Sequence, residues 1–190
     1  KKEILSQIEW IRNFNTQSKD FKIFTGCELE IKTDGSIDYG DEILKELDVV
    51  AAAIHSGFKQ SRETMTRRII KGLSESKYIN VFAHPTGRLI NSRDPYEVDL
   101  EQVLRFCAKN HIFVEINANP MRLELDDVWT RRAKELGVKL VISTDAHTLD
   151  QMDAMHFGVS VARRGWCEKK DILNTYGYEE AKKRLYKRRS

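Results

Sequence analysis

An α/β architecture with strands and helices alternating around a parallel sheet is what this sequence predicts, on three observations. Five short apolar runs recur along the chain, at 21–29, 49–56, 80–85, 112–118 and 140–147, with helical patterns between them. Each run delivers, at its far end, a residue able to bind a metal or move a proton: Glu28, then His55, then His84, then Glu115 with Asn117, then Asp145 with His147. No glycine-rich phosphate fingerprint follows the first run, which argues against a nucleotide-binding open sheet. In a parallel sheet, open or closed into a barrel, groups at the carboxyl ends of strands share one rim. The five endings are therefore expected to converge.

Taken in order, Lys1 to Gln17 carries Ile4, Ile8, Ile11 and Phe14, the spacing of a helix with one buried stripe, so the chain opens inside a helix. A strand over 21–31 follows and stops at the turn signal Lys32-Thr33-Asp34-Gly35. Asp41 to Leu47 reads as a short helix capped by Asp41. The strand ending at His55 leads to a helix over 61–73 with Ser61 as its cap. After the strand ending at His84, a loop rich in Gly, Pro, Asn and Arg runs from Pro85 to Pro95. Asp99 to Lys109 is helical, 112–117 is a strand, and Asp126 opens a helix that Gly137 stops. The run LVISTDAH, 140–147, is expected to stay extended through its end, which would point Asp145 and His147 the same way. A helix over 149–162 and a basic helix over 178–188 complete the chain.

The 190 residues, 41% of them apolar, suit one domain with a sizeable core, spanning 1–190 with a basic tail from about 178. No apolar run approaches the roughly 20 residues of a membrane span, and no signal peptide is visible, so a cytoplasmic protein without membrane contact is expected. Cys27, Cys107 and Cys167 are odd in number and far apart, which fits neither a disulfide framework nor a thiolate zinc knot. Cys27 reads as a packing residue. Net charge is +3, unevenly spread: residues 1–162 hold 22 basic and 25 acidic side chains, whereas 163–190 hold 10 and 4. A polyanion, if one is bound, would meet that last segment, unless it is simply a solvated helix end.

Three imidazoles with Glu28 and Asp145 form a mixed nitrogen and oxygen ligand set. Such a set suits Zn²⁺, Mn²⁺ or Fe better than Ca²⁺. A carboxylate that can bridge two ions allows a multi-metal site, which stabilises both oxygens of a phosphoryl displacement. Arg88 and Arg122 fall in loops on the same rim, where guanidinium forks match phosphate. Metals with rim arginines point to phosphoester hydrolysis.

The segments GCELEI, IHS, AHPTGRLI, EINANPMRL, TDAH and GVSVARRGW also resemble the PHP (polymerase and histidinol phosphatase) domain, most closely the C-terminal PHP domain of bacterial and archaeal family X DNA polymerases. The resemblance covers essentially the whole chain, and AHPTGR, TDAH and ARRGW together are specific to the polymerase version. It implies a distorted (β/α)7 TIM-like barrel of the PHP type, up to three ions, commonly manganese or zinc, and 3′–5′ exonuclease and related 3′-end phosphoesterase activity on DNA in repair. Position by position it implies Glu28 as a bridging ligand, His55 and His84 as single histidine ligands, and Asp145 with His147 as a final metal pair and catalytic groups. Arg88 would contact a DNA phosphate. The His-x-His strand with which the family begins is missing, since no histidine precedes His55. The expectation is a piece lacking the first strands and an upstream polymerase domain, with five ligands for one or two ions, a barrel open on one side and apolar surface exposed there.

Other residues carry plainer expectations. His111 is read as exposed, His156 as packed or on the surface, and Glu115 and Asn117 as rim groups that either hold ligands or serve structure. Arg163 and Arg164 either hold DNA or pair with acidic helix faces, and Trp166 is read as an anchor of the last loop, or as a base-stacking platform if it is exposed. Two further readings compete with DNA 3′-end processing: a free-standing phosphatase for a small monoester of the histidinol phosphate kind, and a non-catalytic remnant that supports a neighbouring domain.

Overall fold

In the computed structural model, which describes residues 2–189, five parallel strands lie in the order β1-β2-β3-β4-β5. They are β1 (Gly26–Glu30), β2 (Val49–Ala53), β3 (Val81–Phe82), β4 (Phe113–Asn117) and β5 (Leu140–Ser143). The helices are α1 (Lys2–Gln17), α2 (Asp41–Leu44), α3 (Arg62–Ser74), α4 (Leu100–Lys109), α5 (Asp127–Glu135), α6 (Met155–Arg164) and α7 (Tyr178–Leu185). Sequential order means every crossover steps the same way, and right-handed crossovers then put the connecting helices on one face. The large core shows this: Leu29, Val50, Phe82, Val114 and Ile142 pack with Met65 and Ile69 of α3, Leu104 of α4 and Ala133 of α5. The described strands do not close into a barrel.

The opposite, inner face is divided along its length. Register pairs Glu28 with Ala51, Ala51 with Val81, and Val81 with Phe113, so these residues share that face. Its strand-start half is apolar. Val49, Ala51, Val81, Phe113 and Val141 pack beneath Leu173, Tyr176, Ala181 and Leu185 of the C-terminal segment. Val81 and Phe113 are thus buried, whereas Phe21 and Trp10, outside this layer, are exposed. An apolar cavity of about 520 Å³, lined in part by Phe24, Leu173 and Tyr178, remains between the layers. The strand-end half carries the polar groups described below.

Part of the basic tail is engaged by the protein itself. Lys182 Nζ lies 2.9 Å from Asp48 Oδ1, Arg188 donates to the carbonyls of Leu73 and Ile79, and Arg189 donates to those of Leu47 and Asp48. These carbonyls end α3 or precede strands, so the tail stitches the strand-start end of the sheet.

Local signals place the helix starts. The side chains of Ser61, Asp99 and Asp126 each accept a backbone N–H three residues on, from Thr64, Gln102 and Trp129. Asp41 is instead the first residue of α2, after Gly40, and its carboxylate accepts from Ser76 Oγ. The strands are shorter than their apolar runs: residues 21–25 and 54–55 lie outside them, and the fifth strand ends at Ser143. Residues 150–154 form a 3-10 turn before α6, and 186–189 form another after α7.

Gly158 of α6 lets that helix approach the sheet. A Cβ there would fall 2.4 Å from Ile142 Cγ2 and 2.9 Å from Ala118 Cβ, whereas one at Gly177 would meet nothing within 4 Å. Overpacking outweighs the helix propensity of alanine, so Gly158→Ala should destabilise the fold by about 1–3 kcal/mol. Gly177→Ala should stay within about 0.5 kcal/mol of the parent. Urea unfolding midpoints of the two variants check the contrast.

Candidate metal centre

At the strand-end half of the inner face, side chains from separate strands meet. Glu28 Oε1 lies 2.7 Å from His55 Nε2 and 3.2 Å from His84 Nε2. Glu28, His55 and His84 each offer a ligand atom within 4.8 Å of the others. Asp145 Oδ2 stands 3.7 Å from His84 Nε2. His84 is nearly buried, while Glu28 and His55 keep open sides. The cluster is therefore floored and accessible from one direction.

Backbone geometry aims these groups. His84 and Asp145 leave their strands at positive φ, 48° and 51°, a region that non-glycine residues adopt only when their surroundings over-determine it. For His84 those surroundings are visible. Its N–H donates to Glu115 Oε2 at 2.8 Å, and the buried Tyr96 hydroxyl reaches the carbonyls of His84 and Pro85. The turn at Asp145 also overrides the expected extended run through 147. Its neighbour His147 is 80% exposed, with Nδ1 donating to the Asp145 carbonyl at 2.9 Å. That bond places the Nδ1 proton and leaves Nε2 as an acceptor in the neutral ring. His147 is thus beside the trio and not within it.

Electrostatics suit a cation. Burial pushes the Glu28 carboxyl up, but hydrogen bonds with His55 and His84 outweigh it and hold the group well below the usual carboxylate range. The bond to Glu28 raises His55. Burial lowers His84, yet Glu124, Glu28 and Glu115 together raise it to about 10. Nitrogen and oxygen lone pairs converge here at distances that require positive charge between them, whether a proton or a metal ion. The donor set of two imidazoles and carboxylates fits a divalent ion of the zinc or manganese type. Cys27, one position from Glu28 and so on the other face of β1, packs against the large core, and burial pushes its thiol up to about 12.

Behind His84, its Nδ1 faces Asn117 Nδ2 at 3.3 Å and the buried carboxylates of Glu115 and Glu124, each at 3.5 Å. Burial raises Glu115. Burial also acts on Glu124, where the bonds from His84 and Thr86 prevail and lower it. Glu115 further accepts from Ser143 Oγ. Glu115 and Asn117 thus share a face, as alternation predicts, and both reach His84.

The arginines are placed differently from the forks expected on the rim. Arg88 donates through Nε and Nη2 to the carbonyls of Arg122 and Leu123. Arg122 binds Glu124 at 3.1 Å and lies 3.5 Å from Asp145. Both therefore clamp the 122–124 loop against the cluster. Arg164 pairs with Asp127 at 2.6 Å, and among the described residues the Arg163 side chain has no hydrogen bond or ion pair. Trp166 is 66% exposed, with the Arg131 guanidinium 4.2 Å from its ring centroid. His111 and His156 are on the surface.

Glu124 and Glu30 were not foreseen. Glu124 arrives on a loop without periodicity and had no signal, whereas Glu30 sits two residues past Glu28 on one strand and could have been found by alternation.

No family model matches the chain. It is 42% identical over 168 residues, 88% of its length, to the DNA polymerase/3′-5′ exonuclease PolX of Bacillus subtilis, covering 29% of that protein, in its C-terminal part. It is 28% identical over 164 residues to a probable phosphatase of Thermoanaerobacter sp. strain X514, and 26% over 161 residues to one of Shewanella sediminis. These matches take 81% and 80% of this chain and 64% and 63% of the relatives. The chain thus spans under a third of the polymerase and under two thirds of the phosphatases. The matches to PolX and to phosphatases alike, together with metal-competent groups gathered along the strand ends of a parallel sheet, are consistent with a PHP domain.

Proposed function

We propose that this chain is the metal-dependent phosphoesterase module of a family X DNA polymerase, removing nucleotides from DNA 3′ ends in repair. The observation that carries the reading is the meeting of Glu28, on β1, with His55 and His84, each two residues past the end of β2 and β3. The sequential parallel order supports placing the sheet within a distorted seven-stranded PHP barrel. A polymerase domain in the same full-length chain, and DNA 3′ ends, are the partners that fit the PolX likeness.

Glu28, His55 and His84 would hold a Mn²⁺ or Zn²⁺ ion, with Asp145 closing the set. Bound there, the ion supplies positive charge to a phosphoryl group undergoing displacement. The chain's own residues do the rest. His147, its Nδ1 proton committed to the Asp145 carbonyl, has Nε2 open to take a proton or to serve as an outer ligand. Arg163 offers an unengaged guanidinium to a phosphate of the strand. Arg164 and the remaining edge of Arg88 add to it, while Arg122 holds Asp145 in place. The likeness to probable phosphatases supports a second reading, hydrolysis of small phosphate monoesters.

Release of mononucleotides from single-stranded DNA in the presence of Mn²⁺ tests the first reading. His84→Ala and Asp145→Ala should each lower the rate by about 100-fold or more, exceeding the roughly 10–100-fold typical of groups behind the ligands. Equal or faster hydrolysis of a small aryl phosphate would favour the second reading, and hydrolysis of neither would leave a structural role.

Metal binding must displace protons from these imidazoles. Because the His84 pKa is raised to about 10, the ring holds its proton through neutral pH. Mn²⁺ affinity should therefore rise from pH 6 to pH 9, with protons released on binding. Calorimetric titrations in two buffers of different ionisation enthalpy measure both quantities, and an affinity flat across that range would contradict the proposed ligation.

A further inference from the structure

The geometry points to Glu30 as a positioning residue that fixes His55 for metal binding, an inference that rests on the metal-centre reading above. Glu28 and Glu30 are two residues apart on β1 and point to the same face. The His55 ring stands between them. Its Nε2 is 2.7 Å from Glu28 Oε1 and its Nδ1 is 2.8 Å from Glu30 Oε2. The same Glu30 oxygen accepts the His55 backbone N–H at 2.9 Å. One carboxylate oxygen thus fixes both the backbone and the ring of the histidine.

The other oxygen is anchored. Glu30 Oε1 accepts from Ser56 Oγ at 2.8 Å and lies 3.4 Å from Arg68 Nη2. Arg68 is a guanidinium of α3 whose side chain is only 1% exposed. Its remaining donors reach the carbonyls of Ile31 and Lys32 after β1, and of Ser56 and Gly57 after β2. Gly57, at φ 61°, leaves the room: a Cβ there would fall 3.0 Å from Arg68 Nη1 and 2.7 Å from a Thr33 methyl. Arg68 therefore bolts together the ends of the two strands that carry Glu28 and His55, and holds Glu30 in register with both.

A surface ion pair would not need this construction. A fixed carboxylate at Nδ1 makes that nitrogen the proton-bearing one. The Nε2 lone pair then faces the ion, and the ring gains basicity as a ligand. His84 has a looser counterpart, since Glu115 and Glu124 stand 3.5 Å from its Nδ1. Glu30 is the tighter case, and nothing in its contacts requires it to touch the ion or a substrate.

The test is calorimetric titration of Mn²⁺ into the parent, Glu30→Gln, Glu30→Ala, His55→Ala and the His55→Ala/Glu30→Ala double variant. Glu30→Gln keeps the side-chain volume and one acceptor oxygen, so it reads the effect even if Glu30→Ala unfolds. Circular dichroism and urea midpoints establish which variants are folded. The expected result is about 10–100-fold weaker binding for either Glu30 variant in the parent background. In the His55→Ala background the same substitution should change affinity by less than about 2-fold, because a residue acting through His55 has nothing left to position. Parent-like affinity of the Glu30 variants, or an equal loss with and without His55, would overturn the assignment while leaving the metal centre standing. No Mn²⁺ binding by the parent would overturn the metal centre and this assignment with it.

Discussion

One carboxylate oxygen facing two imidazole nitrogens organises this molecule. Glu28 Oε1 is within 3.2 Å of Nε2 of both His55 and His84, and such lone pairs stay together only with positive charge between them. Every neighbouring feature can be read as meeting that demand. Buried carboxylates at Nδ1 of His84 and Glu30 at Nδ1 of His55 favour the charged or metal-bound ring, and Asp145 adds a further negative oxygen. The outcome is a negatively lined hollow whose own hydrogen bonds already prefer a cation.

The fold makes such a concentration of charge tolerable by separating it from the apolar core. Strand alternation sends Leu29, Val50, Val114 and Ile142 toward the helices. The opposite face divides along the strand axis. Its strand starts are apolar and covered by the C-terminal segment, and its strand ends carry acids and histidines. Buried or half-buried arginines hold the two ends. Arg188 and Arg189 stitch carbonyls at the strand starts, Arg68 and Arg88 do so at the strand ends, and Arg122 there binds the carboxylates of Glu124 and Asp145. Guanidinium groups suit this work because their donors form a rigid planar fork that can satisfy several carbonyls at once. Such use costs something functionally: Arg88, Arg122, Arg188 and Arg189, which look on paper like phosphate ligands or a polyanion patch, are partly or wholly engaged inside the protein.

Two of the site residues, His84 and Asp145, sit at positive φ just past their strands. Such conformations persist when surrounding bonds fix them, as the Glu115 carboxylate and the Tyr96 hydroxyl do for His84. The backbone there is shaped for the direction of a side chain at the expense of its own preference.

Much of this was legible from the residues. Apolar runs ending in acids and histidines, with helix patterns between, specified a parallel sheet and a shared rim, and the caps Ser61, Asp99 and Asp126 marked where helices begin. These are local or periodic signals, written within a few residues of the feature that they specify. The sequence alone could not say that the 140–147 run turns at Asp145, setting His147 beside the cluster. Nor could it say that Arg88 and Arg122 face inward, or that Glu124 stands behind His84. Those outcomes depend on which carbonyls and carboxylates lie nearby after residues 20 or more positions apart are brought together, and hydrogen-bond partners at that separation leave no periodic trace. The sequence by itself determined the sheet and the chemistry of its ends; the tertiary structure decided which ends share an ion and which charges hold them there.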